Sequence, residues 1–438
     1  MNPDYENILY ERHSAQVAAV NAVYGGVDTA SDYLQQYNKE DNDTYKDRKE
    51  VATLNNFVFR VVSSIKDIVF RQNIDTTKLE GTSVEPYLNS IDYNNSLNSF
   101  GKEVLKKLER DGKTYIFVDS PKYGEDIVTK ADEEASGLRP YMKSIDRADI
   151  PNWKYDDQMR LMRVTLKETY DKGTSEGFDE VLDIQYRVLY YGGIVKVYRD
   201  GEIYETIESS FTDIPLVEVG NADIPTLYDL AKLNINHMNR GSELNNYIRI
   251  GAAPIPVTWG LNTTEGETTV IGVNQGINFS GPKDETGFEW VEMSGKNAEM
   301  IRNQIKDDEE SMLDITVSIV TSNQPRTATE VNSDNIENES RLVSSAMALE
   351  AGLNKALEFF VSYQNSELKE DQMCIVNKDF DSNKLTDEEV KDYRADYLAG
   401  IISWDKLIDV LTLGKRYPEM SEDEKITEKA NLVDPSGL

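Results

Sequence analysis

The sequence predicts a mainly helical α+β protein, and three observations support that fold class. Between residues 115 and 207, apolar and polar residues alternate with a period of two, which is typical of half-buried strands. The second half of the chain contains two long segments with apolar residues at helical spacing. A Gly/Thr/Pro-rich stretch separates these two segments, so we expect two long helices that flank a small β module.

Length and charge limit the classes of function. The 438 residues suggest two or three domains of roughly 150 residues each. With 79 acidic and 47 basic side chains, the formal net charge is −32. A field of that sign repels phosphates, so the composition excludes a protein that holds nucleic acid tightly through many phosphate contacts. No run of about 18 apolar residues predicts a membrane span, and no signal peptide is recognised at the N-terminus.

Helices are predicted at the start of the chain. Apolar residues recur at helical spacing over residues 8–23, 54–69 and 97–110, and the last segment leads into a strand at 115–118. The polar stretch 38–49 is expected to be a loop or a solvated helix.

A β-hairpin is predicted where strands at 195–198 and 203–204 flank Asp200-Gly201. Both of these turn residues tolerate positive φ. Further strands are expected at 164–166 and 184–188.

The second half is organised around two long helices. The first is predicted over 225–250, with Thr226 as its cap and Asp229 three residues later, and would be about 37 Å long. The β-like insert 254–293 follows, with candidate strands at 257–259 and 269–271. The second long helix is predicted over 297–320.

A third helix is predicted to begin at the capping box Thr327–Glu330. Its apolar residues follow the 4-3-4-3-4 spacing of a helix that packs against other helices: Leu342, Ala346, Leu349, Leu353, Ala356 and Phe360. Two short helices are expected near the C-terminus, the second capped by Ser403.

Motifs for catalysis, metals and cofactors are incomplete. Gly112-Lys113-Thr114 has Lys107 where a phosphate-binding loop needs glycine, and it follows a helix rather than a strand. The calcium-like run from Asp379 has Lys384 at its glycine position. One cysteine and two histidines do not supply a zinc site. We therefore expect no catalytic residue, no metal and no cofactor. An acidic-residue-dependent, glycosidase-like hydrolase stays an alternative, because 79 acidic residues provide many carboxylate pairs.

Several short segments follow one another along the chain in a recognisable order. The segment 227–237, LYDLAKLNINH, has the pattern LA-x-LN-x-x-H, and it continues to a Gly/Pro-rich exit at Gly251, Pro254 and Gly260. The other segments are Asn55-Asn56 with its apolar helix, Asp111-Gly112 through Pro121, Arg139-Pro140-Tyr141 to Trp153, and Gly400-Ile401-Ile402-Ser403-Trp404. In sequence and in order, these segments resemble the portal proteins of tailed bacteriophages, over roughly residues 55–413.

The resemblance implies a dodecameric ring with a specific domain order. The implied divisions are an N-terminal region with an α+β wing (1–224), a first stem helix (225–252), a small β-containing clip (253–294), a second stem helix (295–319), a tunnel loop with a long wing helix (320–380), and a C-terminal helical crown with an acidic tail (381–438).

The resemblance also implies roles for individual residues. The stem helices would include Asn234, His237, Met238, Gly241, Ile305 and Met312. The tunnel loop would bring Ser322, Asn323, Gln324 and Arg326 near DNA. The clip, with Trp259, Thr263, Glu265 and Glu267, would dock the packaging motor and the tail adaptor.

The implied function is a DNA channel at one capsid vertex of a virion that is assembled in the bacterial cytoplasm. Its partners would be other copies of the chain, the major capsid and scaffolding proteins, the terminase large subunit, the head-completion or tail adaptor proteins, and double-stranded DNA in weak contact, with no membrane. Another ring-forming head–tail connector is a second alternative. In a ring, the acidic surplus would line a channel through which DNA slides without adhering.

Overall fold

The computed structural model describes the chain at residues 3–119, 139–173, 181–209, 211–251, 255–259, 282, 284–285, 287–291, 295–320, 328–364, 366–378, 380, 387–398 and 402–413. Its contacts divide the chain into two compact units, Met1–Asn377 and Lys378–Leu438. Helices and antiparallel sheets occur together, which confirms the α+β class. None of the helices among these residues is long and apolar enough to cross a bilayer.

The N-terminal part of the first unit is helical. The helices are α1 (Ile8–Gly25), α2 (Val27–Ala30), α3 (Asn42–Glu50), α4 (Phe57–Val69) and α5 (Leu97–Asp111). Side-chain caps explain where several of them begin: the oxygens of Asn7, Asn56 and Ser96 accept backbone N–H groups in the first turns of α1, α4 and α5. Helix α5 ends at Gly112 with φ of 77°, a left-handed conformation that glycine adopts without a Cβ penalty.

Two sheets follow α5. The strands are β1 (Thr114–Asp119), β2 (Tyr141–Ile145), β3 (Asn152–Tyr155), β4 (Leu161–Asp171), β5 (Leu182–Tyr190), β6 (Ile194–Arg199), β7 (Glu202–Glu208) and β8 (Leu216–Val219). The first sheet has the order β2-β1-β8, and the second is the antiparallel meander β3-β4-β5-β6-β7. A shared apolar cluster joins the two sheets; it includes Phe117 of β1, Leu166 of β4 and Leu189 of β5.

The hairpin predicted at Asp200-Gly201 joins β6 to β7. Both residues have positive φ, 51° and 81°, as a two-residue hairpin turn of the mirror-image type requires. Arg199 pairs with Glu202 directly beside the turn, which confirms the predicted hairpin.

The second half of the first unit contains α6 (Tyr228–Gly251), β9 (Ile255–Trp259), β10 (Gly287–Val291), α7 (Lys296–Val320) and α8 (Ala328–Tyr363). Helix α6 begins later than Thr226, and the Thr226 hydroxyl accepts a hydrogen bond at 3.0 Å from Arg341 of α8. The candidate strand at 269–271 lies outside the described residues.

Helix α8 passes through the centre of the first unit. All six residues of its predicted stripe, from Leu342 to Phe360, are buried, which confirms that face as the packing surface. The helix contacts β8, β1, α5 and α7. It lies very close to β8 at Gly352, where an added Cβ would be 2.5 Å from Cγ2 of Val219.

The second unit contains helices α9 (Asp387–Leu398) and α10 (Trp404–Leu413), which contact each other. The Ser403 hydroxyl accepts the backbone N–H of Lys406 at 3.2 Å, as predicted for a cap. Leu407, Ile408 and Leu411 form the buried face of α10.

Candidate functional site: the α6–α7 helix pair

Helices α6 and α7 pack against each other and are joined in sequence through β9 and β10. Their 24 and 25 residues correspond to lengths of about 36–38 Å at 1.5 Å per residue. The described part of the chain therefore contains the two long helices that the sequence predicts on either side of a strand pair.

Asn234 fixes the first half of α6 to the start of α4. Its side chain is fully buried; Nδ2 donates to the carbonyl of Asn55 at 2.7 Å, and Oδ1 accepts the backbone N–H of Phe57 at 3.0 Å. The amide thus supplies one donor and one acceptor to backbone groups that a buried apolar side chain would leave unpaired.

Two polar contacts connect α6 to α7. Nε2 of His237 lies 3.2 Å from Oε1 of Glu309, and Arg240 pairs with the buried carboxylate of Asp308. His237 is 8% exposed, and its Nδ1 is buried without a hydrogen-bond partner among the described atoms. These contacts set the relative positions of the two helices along their shared face.

The segment 31–50, including α3, packs on another side of α6. Arg48 is 2% exposed; it pairs with Glu40 at 2.7 Å and donates to the hydroxyl of Ser242 at 2.9 Å. The hydrogen bond from Arg48 holds the pKa of Glu40 below its ordinary value. Nearby, Oδ1 of Asn239 accepts the backbone N–H of Gln35 at 2.9 Å.

The polar stretch 38–49 is thus neither a plain loop nor a fully solvated helix. Residues 42–49 of this stretch belong to α3, and the Arg48 guanidinium is buried against α6. Composition predicted solvation here because a buried arginine is rare; the acceptors Glu40, Ser242 and the carbonyl of Gln35 permit its burial.

The predicted stem residues lie on α6 and α7, with different degrees of burial. Met238 and Met312 are fully buried, and Met238 packs in an apolar cluster with Ala30, Leu34 and Ala52. Ile305 and Gly241 are half-buried, and a Cβ added at Gly241 would meet no atom within 4 Å. The predicted stem residues in the first half of α6 are therefore buried, and Gly241 in its second half is only half-buried.

The far end of α6 and one side of α7 are exposed in the single chain. Ile248 of α6 and Leu313 of α7 are 44% and 49% exposed. Asp307, Glu310 and Asp314 recur at helical spacing on α7 and are also exposed. This face is both acidic and open, so it is available to other molecules or other copies.

The strand pair between the helices has an exposed aromatic residue. β9 and β10 are antiparallel, with Trp259 opposite Gly287. A Cβ at Gly287 would lie 2.1 Å from the indole, so glycine leaves room for the ring across the pair. Trp259 is nevertheless 47% exposed and Val257 is 41% exposed.

Several predicted site residues lie outside the described residues. They are Ser322, Asn323, Gln324 and Arg326 of the tunnel loop, and Thr263, Glu265 and Glu267 of the clip. Within the described ranges, no group of three or more His, Cys, Asp or Glu side chains is arranged to hold a metal ion.

Sequence reasoning missed the contacts that position α6 from the N-terminal segment. Arg48, Glu40, Ser242 and Asn239 belong to no motif, and residues 31–50 are about 200 positions away from α6 in the chain. The sequence pattern singled out Asn234, but it did not predict the buried hydrogen bonds between this side chain and the backbone at the start of α4.

Comparisons with known proteins identify similar chains. A family described as a domain of unknown function (DUF4055) matches residues 226–364, from just before α6 to just after α8. No curated protein matches the chain. Among solved structures, a chain in the virion of a native gene transfer agent (GTA) particle is 10% identical with a TM-score of 0.40, covering 90% of this chain and 98% of that one.

Two further similar chains come from necks of such particles. One is from the neck of the empty GTA particle computed with C6 symmetry, with 10% identity and a TM-score of 0.40 over 84% of this chain and 94% of that one. The other is from the neck of the native GTA particle computed with C12 symmetry, with 11% identity and a TM-score of 0.37 over 81% and 89%.

Proposed function

We propose that this chain is a portal protein: copies form a dodecameric ring at one capsid vertex, through which DNA is packaged and later released. In this proposal α6 and α7 are the stem, β9 and β10 belong to the clip, the α+β part of the first unit is the wing, and α9 and α10 belong to the crown. The protein has no catalytic role of its own.

The observation that carries the proposal is the α6–α7 pair with the strand pair between its members. Two packed helices of about 36–38 Å are long for a domain that needs only to bury a core. A ring-shaped conduit, by contrast, needs a long wall that each copy supplies, with a small module at its end. The ordered sequence resemblance to portal proteins supports the same assignment independently of these lengths.

Closure of a ring requires two different faces on each copy, because the contacts are heterologous. One face of the helix pair is already covered by α4 and the segment 31–50. The exposed acidic side of α7 is then free to face the channel. Carboxylates at Asp307, Glu310 and Asp314 would keep DNA phosphates from adsorbing, so the polyanion could slide.

The proposed partners are those that the resemblance to portal proteins implies. The clip, with Trp259 exposed, docks the terminase large subunit during packaging and the head-completion or tail adaptor proteins afterwards. The wing contacts major capsid and scaffolding proteins. The mature location is the virion vertex, after assembly in the host cytoplasm.

Replacement of residues 320–326 by a Gly/Ser linker of equal length tests the channel function. We expect rings to form normally and DNA packaging to fall, because the proposed tunnel loop with Asn323, Gln324 and Arg326 is removed. The matched control replaces the seven residues 366–372 in the same way and should retain packaging. Unchanged packaging in the 320–326 variant would reject the channel role.

A further inference from the structure

A cavity of about 270 Å³ lies on the face of the five-stranded sheet that is covered by the N-terminal segment. Nδ2 of Asn152 donates to the carbonyl of Tyr5 at 2.9 Å, and the backbone N–H of Asn7 donates to the carbonyl of Pro151 at 2.8 Å. These bonds hold the segment beside β3. The cavity remains between the segment and strands β4, β5 and β6.

Arg163 of β4 is one of the residues that line this cavity, and its guanidinium is incompletely satisfied. Its Nε is buried and has no hydrogen-bond partner among the described atoms, and its Nη2 donates to Oδ1 of Asn152 at a long 3.4 Å. No carboxylate of the described residues forms an ion pair with it. A buried N–H without an acceptor costs free energy, so the site favours a ligand that supplies one.

The shape of the guanidinium specifies the acceptor. Nε and Nη2 lie along one edge of the planar group, and two parallel N–H donors match the two oxygens of a carboxylate. A carboxylate bound along this edge would give Nε an acceptor and would accept a second hydrogen bond from Nη2.

The rest of the lining contains no other charged residue. Three tyrosines, Tyr5, Tyr190 and Tyr198, line the cavity with Pro3 and Val188, and the uncharged polar side chains of Asn152 and Thr165 complete the lining. Tyr190 is directly opposite Arg163 in the β4–β5 register. A single cation within such walls suits a singly charged group on an apolar body better than a phosphate with two charges.

We propose that this pocket binds a small aromatic carboxylate, with the carboxyl group on the edge of Arg163 and the ring between the tyrosines. The net charge of −32 opposes any anion at long range, so affinity must come from this one side chain. The inference is independent of the portal function.

Isothermal titration of the full chain with benzoate tests the proposal, and benzamide serves as the uncharged probe of the same shape. We expect saturable binding of one benzoate per chain in the range up to roughly ten millimolar. The affinity for benzamide should be lower than that for benzoate by about tenfold or more, since benzamide lacks the charge. Arg163→Gln should weaken benzoate binding by about tenfold or more for the same reason.

The matched control is Arg160→Gln, which removes an exposed arginine next to the same strand and should bind benzoate like the wild type. Circular dichroism verifies that each variant is folded. If Arg163→Gln is unfolded, Arg163→Lys provides the second measurement: it keeps the charge but removes the two-donor edge, so benzoate should bind more weakly than to the wild type.

Three results would overturn the proposal. They are the absence of saturable benzoate binding to the wild type, equal binding of benzoate and benzamide, and benzoate binding that a folded Arg163 variant leaves unchanged.

Discussion

At the scale of single residues, the position of α6 depends on a few buried polar side chains. Asn234 lies on α6 and Arg48 lies on α3. Each of them hydrogen-bonds to groups that would otherwise be buried without partners. Removing either side chain should lower the free energy of unfolding more than removing an exposed side chain of the same type.

Replacing Asn234 by alanine should lower the unfolding free energy of the first unit by about 1–3 kcal/mol, because the carbonyl of Asn55 and the N–H of Phe57 lose their partners. Urea unfolding followed by circular dichroism measures the change. Asn245→Ala, on an exposed position of the same helix, is the control and should change stability by less than about 0.5 kcal/mol. Equal effects of the two substitutions would contradict the role of Asn234.

Glu40→Gln should destabilise the contact of segment 31–50 with α6 in a pH-dependent way. The pKa of Glu40 is lowered by Arg48, so its contribution is complete above the ordinary glutamate value of about 4.3 and is lost as the pH falls through the lowered pKa. The difference in thermal midpoint between wild type and variant should therefore be full at pH 7 and shrink on acidification below pH of about 4.

The control for that prediction is Asp32→Asn, which removes the exposed partner of Lys49 in a pair that is open to solvent. Exposed pairs contribute little, so its thermal midpoint should stay close to that of the wild type. A Glu40→Gln difference that is the same at pH 7 and pH 3 would show that the charge on Glu40 does not stabilise the contact.

At the scale of elements, the close approach of α8 to β8 can be tested at one position. Gly352→Ala would place Cβ against Val219, and overpacking of this kind costs about 1–3 kcal/mol. Val219→Ala in the same chain should recover part of that loss, because it removes both Cγ atoms that the new methyl group meets. Additive losses in the double variant, measured by urea unfolding, would show that the two positions do not share a contact.

The spacing of apolar residues predicted the elements that bury one face and whose defining residues are close together in sequence. The 4-3 spacing of α8 and the Asp200-Gly201 turn were identified because each depends on residues close together in sequence. The order β2-β1-β8 was not predicted, since β1 and β8 are separated by almost a hundred residues and their pairing leaves no local signal.

The candidate site was predictable to a similar extent. The two long helices and the β9 strand followed from spacing and turn residues. The polar contacts between the helices did not follow from the sequence. Glu309 and Asp308 occur in the acidic run Asp307–Glu310, and four consecutive charges on a helix are typical of a solvated or channel-lining face, although Asp308 is only 8% exposed. Burial of one charge within such a run depends on Arg240 of the other helix, which only the folded chain brings near.

At the scale of the whole molecule, the acidic surplus is consistent with a surface that does not hold nucleic acid. In a ring, the surplus would be multiplied by the number of copies, and each copy would have to meet its neighbours through faces other than its most acidic ones. The exposed apolar residue Ile248, at the far end of α6, is available for such contacts in the single chain.

Electron microscopy of the purified full-length protein tests the ring most directly. We expect particles with twelve-fold symmetry and a central channel whose wall contains α6 and α7 from every copy. A compact monomer at all protein concentrations, or a closed particle without a central channel, would contradict it.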